Sequence, residues 1–494
     1  MDTQGPRRKG SPMGTPTKGS VETREPNPKT ARRISPRKNP SSNGGRDGHS
    51  LSDGQQKAVD LVLDGKSIFF TGCAGTGKSL VLRCILSRLA AAGTGGVYAT
   101  ATTGLAACQI KGSTLQQFAG IGKTRGTRDE VLTAVRKRPD AVRRWRSAQV
   151  LIVDEISMLD ADTFDALEYV ARALRQNDSP FGGIRLVLSG DFFQLPPVSC
   201  RGEAEKKLCF EAKAWETCVR ETVQLKAVFR QRDSKFVKLL SRVRWGQCTP
   251  EVLAELRRCR DRATEGTGKS GVENRTGVKG GRGLGTSSRP TDDGIEETQV
   301  LTHKADVLRV NQARLSQLEG EEVPLRAQDK GNSPDLLRQL DDSCSAPMVL
   351  KLKVGAQVTL VKNLAPGRGL VNGSRGVVAR FTACGGLSLP VVRFTSGLEE
   401  TMRPEEFPLY VGGVVVATRR QFPLALAWAL SVHKSQGMSL DRASVCLSKA
   451  FEYGQVYVAL SRVRSLEGLS IVGSIDPSKI RAHPRVIDFY RRLS

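Results

Sequence analysis

The sequence predicts an α/β fold in which two successive domains are built on parallel sheets and a small β-barrel is inserted in the second. Short apolar runs bounded by Gly, Asp or Ser alternate with amphipathic stretches, as in parallel strands joined by helices. A later section, Val354 to Val378, is rich in Gly and Val and alternates as barrel strands do. The 494 residues are enough for about three such units.

The elements of the first domain follow from its apolar pattern. A helix is predicted where Leu and Ile recur at helical spacing from Leu82 to Leu89, ending near Gly93, and another after an N-cap at Asp160 or Asp162. These apolar stripes indicate core packing. The strands predicted around them are Ile68–Phe70, Tyr98–Thr100, Val150–Val153 and Leu186–Leu188, and a second series begins at Thr298–Leu301 and resumes after residue 410.

Two segments differ in composition from the rest. Residues 1–50 hold 11 basic and 4 acidic side chains among many Pro, Gly, Ser and Thr, and residues 262–290 hold eight glycines and no aromatic residue. Such segments bury too little apolar surface to become ordered. We predict a disordered basic tail at 1–50, a first domain at 51–215, a second at 216–350 and 410–494 with a flexible insertion at 262–295, and the β insertion at 351–409.

The net charge points to a polyanionic partner. Of the formal +26, the tail carries +7 and residues 262–290 carry +4, which leaves +15 on the remaining sequence. Surface solvation is the alternative, but an excess of this size favours nucleic acid. The longest apolar stretch, Phe422–Leu430, has nine residues against the ~20 that span a bilayer, so no membrane span is expected. The scattered cysteines show neither zinc-ligand spacing nor a disulfide framework, which favours a reducing compartment.

A phosphate-binding loop, G-x-x-x-x-G-K-S, stands between the first predicted strand and the Leu82–Leu89 helix. Glycines let backbone N–H groups close around phosphate oxygens, Lys78 reaches the β- and γ-phosphates, and the hydroxyl of Ser79 is a Mg²⁺ ligand. This pattern predicts a nucleoside triphosphate site. Its residues are Gly72, Cys73, Ala74, Gly75, Thr76, Gly77, Lys78 and Ser79.

Two carboxylates end a buried apolar strand further along the chain. Asp154 is placed to hold Mg²⁺ through its water shell, and Glu155 to take a proton from the attacking water. The alternative is an acidic pair that caps the following helix. Gln194 follows the next strand and is expected at the same sheet edge, where it orients water or senses the γ-phosphate. We predict that Phe192 and Phe193 pack in the core and do not stack on bases.

Hydrolysis coupled to movement also needs positive charge from the second domain. Arg230, in Val-Phe-Arg-Gln, and Arg462, in Ala-Leu-Ser-Arg, are the candidates to neutralise the γ-phosphate across an interdomain cleft. For any lone arginine the alternative is an ordinary surface charge, so the surrounding pattern has to decide.

That pattern extends along most of the chain. Its motifs are Leu51-Ser52 with Gln55, the phosphate loop, Thr100 to Ala107, Asp154-Glu155, Pro180 to Gly183 with Gly190 to Pro197, Phe229-Arg230-Gln231, Val361-Lys362-Asn363 with Gly369 to Gly373, His433 to Gly437, and Tyr457 to Arg462. In this order they closely resemble the petite-integration-frequency (Pif) family of 5′→3′ DNA helicases, relatives of RecD. The resemblance covers about residues 51–261 and 295–494.

The resemblance implies two tandem RecA-like P-loop domains with an inserted small SH3-like β-barrel, and ATP and Mg²⁺ as cofactors. It implies that Gln55 reads adenine, that Tyr457 belongs to the nucleotide site, and that Gln194, Arg230 and Arg462 sense the γ-phosphate beside Lys78, Ser79, Asp154 and Glu155. The residues implied to grip single-stranded DNA are Thr102, Gly104, Gln116, His433, Lys434 and Ser435. The family usually has a histidine where this chain has Gln116, and glutamine still hydrogen-bonds DNA but does not titrate near neutral pH.

We therefore expect an ATP-hydrolysing, Mg²⁺-dependent 5′→3′ DNA helicase of genome maintenance, acting in replication, repair, recombination and telomere maintenance. Expected substrates are single-stranded DNA and tailed or forked duplexes, with G-quadruplexes or RNA–DNA hybrids as further candidates, and the protein is expected to be a monomer. The alternatives are a translocase that strips proteins or acts on RNA, a DNA-binding scaffold without ATPase activity, and a phosphate-loop kinase. Basic patches at Arg7 to Lys9 and Arg32 to Lys38 favour the nucleus, with the mitochondrion as the alternative.

Overall fold

A computed structural model describes residues 51–121, 126–198, 205–265, 295–331, 333–365, 368–411 and 414–493. The predicted tail and its basic patches lie outside the described residues, as does nearly all of the predicted insertion at 262–295. Contacts between Cα atoms make Leu51–Ser494 one compact unit of the chain.

The first α/β unit is built on a parallel sheet with the strand order β3-β2-β4-β5-β1-β6. All of its neighbouring strands run parallel, and β1 lies between β5 and β6. The four predicted strands of this region are confirmed. The strands are β1 (Ile68–Gly72), β2 (Val97–Ala101), β3 (Ser113–Thr114), β4 (Val150–Asp154), β5 (Arg185–Gly190) and β6 (Glu221–Leu225).

Helices cover both faces of this sheet. The predicted helix after the phosphate loop is confirmed, since Leu82, Ile85 and Leu89 are buried on it, and Asp160 is the N-cap of the later one, accepting from Thr163 N at 2.8 Å. The helices are α1 (Asp53–Leu63), α2 (Lys78–Ala91), α3 (Gly104–Gln109), α4 (Leu115–Ala119), α5 (Arg128–Arg136), α6 (Pro139–Ser147), α7 (Ala161–Arg175) and α8 (Trp215–Cys218).

The second α/β unit has a parallel sheet with the order β18-β7-β19-β20. Its core joins these strands to the apolar faces of α9 and α10. The strands are β7 (Thr298–Leu301), β18 (Ala429–Ser431), β19 (Ala443–Cys446) and β20 (Leu469–Val472), and the helices are α9 (Ser234–Arg244), α10 (Pro250–Glu265), α11 (Lys304–Gln317), α13 (Val432–Ser435) and α14 (Gln455–Leu460).

Two elements lie outside the domain limits predicted from the sequence. Strand β6 pairs with β1, so the first unit continues past the predicted limit at residue 215. Helix α15 (Pro484–Leu493), which the prediction gave to the second domain, returns to the first unit, where Val486, Phe489 and Tyr490 join the core around Phe69. Domain limits drawn along the chain do not include these two elements correctly, because each element packs against residues that are far away in the sequence.

The β section is larger than the predicted 351–409 and forms antiparallel sheets. The main sheet has the order β14-β13-β12-β11-β17, and among the described strands β14 and β17 remain its edges, so hydrogen bonds do not close the predicted barrel. Its elements are β8 (Val323–Arg326), β9 (Gln328–Gly331), α12 (Pro334–Ser343), β10 (Val349–Leu352), β11 (Gln357–Leu360), β12 (Arg375–Cys384), β13 (Leu387–Phe394), β14 (Glu399–Thr401), β15 (Glu405–Val411), β16 (Val414–Gln421) and β17 (Leu424–Leu426). No helix in the described ranges is both long and apolar enough for a bilayer.

Candidate active site

A cavity of about 980 Å³ lies between the carboxyl ends of the first sheet and the second α/β unit. The phosphate loop and the residues that follow β4 and β5 contribute from one side, and the segments after β6 and α14 contribute from the other. The sequence-predicted residues that line it are Ala74, Gly75, Gly77, Lys78, Ser79, Glu155, Gln194, Arg230 and Arg462.

The phosphate loop is closely packed, which explains its glycines. Gly75 and Gly77 have φ of 89° and 81°, the left-handed region that glycine adopts without strain. A Cβ at Gly75 would lie 2.7 Å from Arg230 Cβ. Lys78 Nζ donates to the carbonyls of Gly72 and Cys73 at 2.7 and 3.3 Å, so the ammonium lies inside the loop.

Gln55 and Tyr457 both hold the loop through its backbone. Gln55 is buried, its Nε2 donates to Thr76 O at 3.0 Å and its Oε1 accepts from Ser52 N at 3.0 Å. Both ends of the amide are thus bound to protein, and the adenine-reading role stays a prediction. Tyr457 Oη accepts from Ala74 N at 2.8 Å, a contact made from the second unit, and burial raises the pKa of this phenol.

The two carboxylates differ in their surroundings. Asp154 is buried, its Oδ1 accepts from Glu155 N at 2.9 Å, and burial raises its pKa. Burial and then the neighbouring Asp154 raise the pKa of Glu155 to about 7, against the lowering effect of Lys78 and Arg462. Glu155 has a φ of 53°, and among the described residues its buried Oε2 has no hydrogen-bond partner. A carboxylate on a strained backbone, with its pKa raised to about 7, suits a general base.

The alternative of an acidic helix cap does not fit this geometry. Glu155 is the N-cap of the short 3-10 helix Ile156–Met158, but its side chain makes no capping hydrogen bond.

Gln194 is buried at the cavity wall, with Nε2 3.4 Å from Asp191 Oδ2. Phe192 and Phe193 are buried in the first core, so their predicted packing role is confirmed.

Arg230 and Arg462 bring positive charge to the cavity from the second-unit side. Arg462 is buried and donates to Val458 O at 3.0 Å and Ser461 Oγ at 2.8 Å, while the half-buried Arg230 donates to Ser461 O at 3.1 Å. In the described part of the chain these hydrogen bonds go to carbonyl and hydroxyl oxygens of Val458 and Ser461, and not to carboxylates. Burial lowers the pKa of both guanidinium groups, that of Arg230 to about 9 with help from Arg462. Cations in such surroundings favour an anionic ligand over the alternative of ordinary surface charges.

Sequence analysis missed several lining residues. Phe229 is 56% exposed and its ring belongs to the cavity wall. Arg464 adds a further cation two residues after Arg462, and Asn363 and Asn372 reach the cavity from the β section, with Asn372 N donating to Asn363 Oδ1 at 2.7 Å. All four residues lie inside or next to the motifs of the sequence, and this position is the feature that could have identified them.

The predicted DNA contacts of the first unit adjoin the carboxylates. Thr102 donates from Oγ1 to Glu155 O at 2.7 Å and from N to Asp154 O at 3.2 Å. Gly104 begins α3, and Gln116 is half-buried on α4. Thr102 is therefore bound to the backbone that carries both carboxylates.

The predicted DNA contacts of the second unit lie together on α13. His433 is half-buried, and burial and then Lys304 lower its pKa, whereas Lys434 is exposed. Ser435 is fully buried and donates to Val432 O at 2.8 Å, so it is not open to a DNA strand. The segment after α13 meets the end of α3, because a Cβ at Gly437 would lie 2.8 Å from Gln109 Nε2.

Comparisons with known proteins agree with these motifs. Residues 50–252 match the family model "PIF1-like helicase", and residues 335–381 match "DNA helicase Pif1, 2B domain". The ATP-dependent DNA helicases PIF1 of Rattus norvegicus and Homo sapiens are 46% and 45% identical over 443 residues, which is 90% of this chain and 64% of each relative. The chain thus spans about 64% of the length of these curated relatives.

Solved structures give the same result. The crystal structure of Pif1 helicase from Candida albicans is 36% identical with a TM-score of 0.69, covering 90% of this chain and 100% of that one. Unliganded Pif1 from Bacteroides sp is 29% identical with a TM-score of 0.71, covering 90% and 97%. The resemblance inferred from the motifs is confirmed, and the chain belongs to the PIF1-like helicase family.

Proposed function

We propose that this chain is an ATP- and Mg²⁺-dependent DNA helicase that moves 5′→3′ along single-stranded DNA. The observation that carries the proposal is the shared cavity, where Lys78 and Glu155 of the first unit face Arg230 and Arg462, whose guanidinium groups lack carboxylate partners among the described residues. A site that needs charges from two units ties hydrolysis to their relative motion. The relatives' name, ATP-dependent DNA helicase, supports the same activity.

The roles follow from position and protonation. Lys78 binds the β- and γ-phosphates, and Arg230 and Arg462 neutralise charge that develops on the γ-phosphate. Glu155, with a pKa of about 7, accepts a proton from the attacking water, which Gln194 orients. A Pif1 from Bacteroides sp has been solved in complex with ADP-AlF4, which supports nucleotide use at this site.

Residues that fit Mg²⁺ are present beside the loop. Ser79 supplies a hydroxyl and Asp154 a buried carboxylate, the hard oxygen donors that Mg²⁺ takes together with several waters. Burial raises the pKa of Asp154, and a cation beside it favours the ionised form. The ion supplies neutralisation of phosphate charge when bound.

We infer that the nucleobase lies against Phe229. This ring is exposed within the cavity, and its backbone N–H donates to Gly75 O at 2.8 Å, which fixes it beside the loop. An aromatic face offers stacking to any base. Gln55 has one hydrogen bond at each end of its amide, which leaves an N–H and a lone pair for the adenine-reading role that the resemblance implies.

DNA is proposed to bind across Thr102, Gly104 and Gln116 of the first unit and His433 and Lys434 of the second. A Pif1 structure from Bacteroides is described as bound to ssDNA, and another Pif1 structure is described as the basis for DNA unwinding at forked dsDNA, which supports these substrates. The TM-score is 0.71 against the unliganded protein and 0.57 against the ssDNA-bound one. We infer that DNA binding rearranges the units.

A contact between α4 and α12 is placed to break in such a rearrangement. Gln117 Nε2 donates to Gln339 Oε1 at 3.1 Å, which joins the first unit to the segment matched by the 2B-domain model.

We further infer that the two parallel sheets are tandem RecA-like domains and that the antiparallel section serves as an SH3-like subdomain. The same proposal extends to roles in replication, repair, recombination and telomere maintenance, and to a nuclear or mitochondrial location. It also includes a monomeric state and action on G-quadruplexes or RNA–DNA hybrids.

One unwinding assay tests the central claim. Wild-type protein and Lys78→Ala are compared on duplexes that carry a 5′ or a 3′ single-stranded tail, with and without ATP and Mg²⁺. We expect only the wild type to separate strands, only with ATP and Mg²⁺, and on the 5′-tailed duplex. Unwinding of the 3′-tailed duplex alone would refute the direction, and unwinding by Lys78→Ala would refute the assigned site.

A further inference from the structure

A buried ion pair lies beside the candidate active site. The guanidinium of Arg244 donates to both carboxylate oxygens of Asp191, from Nη2 to Oδ1 at 2.8 Å and from Nε to Oδ2 at 3.2 Å. The Asp191 side chain is fully buried, and that of Arg244 is 12% exposed. The rings of Phe193 and Tyr490 lie against the guanidinium, their centroids 4.3 and 5.0 Å from Cζ. The cation is therefore held in one orientation.

This pair crosses between the two α/β units. Asp191 follows β5 of the first unit. Arg244 ends α9, whose buried residues Phe236, Leu239 and Val243 belong to the core of the second unit. An arginine anchored in one unit thus fixes a carboxylate of the other, within the loop that leads into the cavity.

The carboxylate in turn holds Gln194. Gln194 donates to Asp191 twice, from its backbone N to the carbonyl at 2.9 Å and from Nε2 to Oδ2 at 3.4 Å. The Gln194 side chain lines the cavity. The Arg244–Asp191 pair is therefore one hydrogen bond away from the side chain that we expect to orient the attacking water.

Helix α15 closes the same cluster. Tyr490 Oη lies 2.5 Å from Thr71 Oγ1, accepts from Phe192 N at 3.3 Å and donates to Asp191 Oδ1 at 3.4 Å. Thr71 is the residue before the phosphate loop. The cluster thus joins the strand that enters the loop to the segment that carries Gln194.

We propose that Arg244 is a positioning residue of the active site, which orients Gln194 through Asp191 and makes that orientation depend on the packing of the second unit against the first. The inference rests on the ATP hydrolysis proposed above. None of the sequence motifs pointed to Arg244, because its role depends on a contact with a residue more than fifty positions earlier.

The electrostatics support this dependence. Burial by itself raises the pKa of Asp191, and the charge and hydrogen bonds of Arg244 lower it below its ordinary value. Without the guanidinium the carboxylate remains buried and unpaired, which is costly, so it rotates toward water or takes up a proton. Rotation removes the acceptor of Gln194 Nε2, and protonation leaves it a neutral and therefore weaker one.

The test compares Arg244→Gln with Arg242→Gln. Arg242 is on the same helix, with an exposed ion pair to Glu251 at 3.2 Å, and is the matched control. We expect Arg244→Gln to lower the kcat of DNA-stimulated ATP hydrolysis about ten- to a hundredfold, the usual effect of a hydrogen bond to a charged group, with the Kd for ATP little changed. Arg242→Gln should keep wild-type kcat, and thermal unfolding reports the stability of each variant.

A second comparison separates positioning from stability. In Asp191→Asn/Arg244→Gln the buried charge is gone, so we expect thermal stability to recover while kcat stays low, because the link to α9 is still missing. Recovery of kcat together with stability would overturn the proposal, as would wild-type kcat in Arg244→Gln. If Arg244→Gln does not fold, Arg244→Lys decides, since wild-type kcat without the two-pronged contact would refute it. A wild-type protein without DNA-stimulated hydrolysis would instead refute the proposed function.

Discussion

The ionisation of Glu155 should set the pH dependence of ATP hydrolysis. As the proposed base, Glu155 acts only when ionised, and burial and Asp154 raise its pKa to about 7. We therefore expect Glu155 to be ionised in about half of the molecules at pH 7, about a tenth at pH 6 and about nine tenths at pH 8. An unperturbed glutamate, with a pKa of about 4.3, would be ionised throughout this range.

The measurement is kcat/KM for DNA-stimulated hydrolysis between pH 5.5 and 8.5 at constant ionic strength, because kcat/KM reports the free enzyme. We expect it to fall about tenfold per pH unit below the midpoint and to be level above it. Glu155→Gln should lower turnover by ~10²–10⁴ and remove this limb, while ATP still binds because Asp154 and Lys78 remain. A level profile down to pH 5.5 in the wild type would refute the reasoning.

The same shift makes a prediction about stability. A carboxyl whose pKa is higher in the folded protein is favoured when protonated, so folding loses stability as pH rises from about 4.5 to about 7. A shift of this size corresponds to ~3 kcal/mol at most. Glu155→Gln, which cannot ionise, should therefore be more stable than the wild type at pH 8 and nearly equal at pH 5. Equal unfolding temperatures at both pH values would contradict the burial argument.

Further predictions concern binding and coupling. Lys78→Ala should abolish DNA-stimulated hydrolysis in a phosphate-release assay while DNA binding persists. Arg462→Ala should keep ATP affinity in equilibrium binding but lose most of the ~10³–10⁵ in rate that an arginine finger gives, and Arg462→Lys should restore little; normal turnover in Arg462→Ala would contradict the two-unit site. Tyr457→Phe removes the hydrogen bond to Ala74 N and should weaken ATP binding by about fivefold. Deleting residues 1–50 should flatten the salt dependence of single-stranded DNA affinity without stopping unwinding, and a folded truncation that fails to unwind would contradict this.

The local sequence was sufficient to predict the residues that the first unit contributes to the site. A phosphate loop is specified by consecutive residues, and strand ends such as Asp154-Glu155 follow an apolar run directly, so Lys78 and Glu155 could be placed before the fold was known. Arg230 and Arg462 could be placed only through the resemblance, since no local pattern says which arginine of many faces a cavity.

Contacts between distant segments left no such signal. The pairing of β6 with β1, the return of α15 to the first core and the Arg244–Asp191 pair each depend on residues far apart in the chain. Ser435 shows the converse, because the resemblance implies a DNA contact at this residue and the helix turn buries its side chain. A motif identifies a segment, and packing decides which of its side chains are exposed.

The return of α15 has a consequence for how the protein is made. Its Phe489 stacks on Phe210 with a centroid distance of 4.2 Å, and its Tyr490 on Phe193 at 4.7 Å, so the first unit buries these rings only when its last helix is in place. During synthesis, residues 51–225 leave the ribosome with an incomplete core, and some 260 residues must follow before the missing helix arrives. The nascent first half therefore carries exposed aromatic surface throughout that interval. We expect a fragment ending at residue 225 to aggregate, and the two halves of the chain to unfold as one cooperative unit.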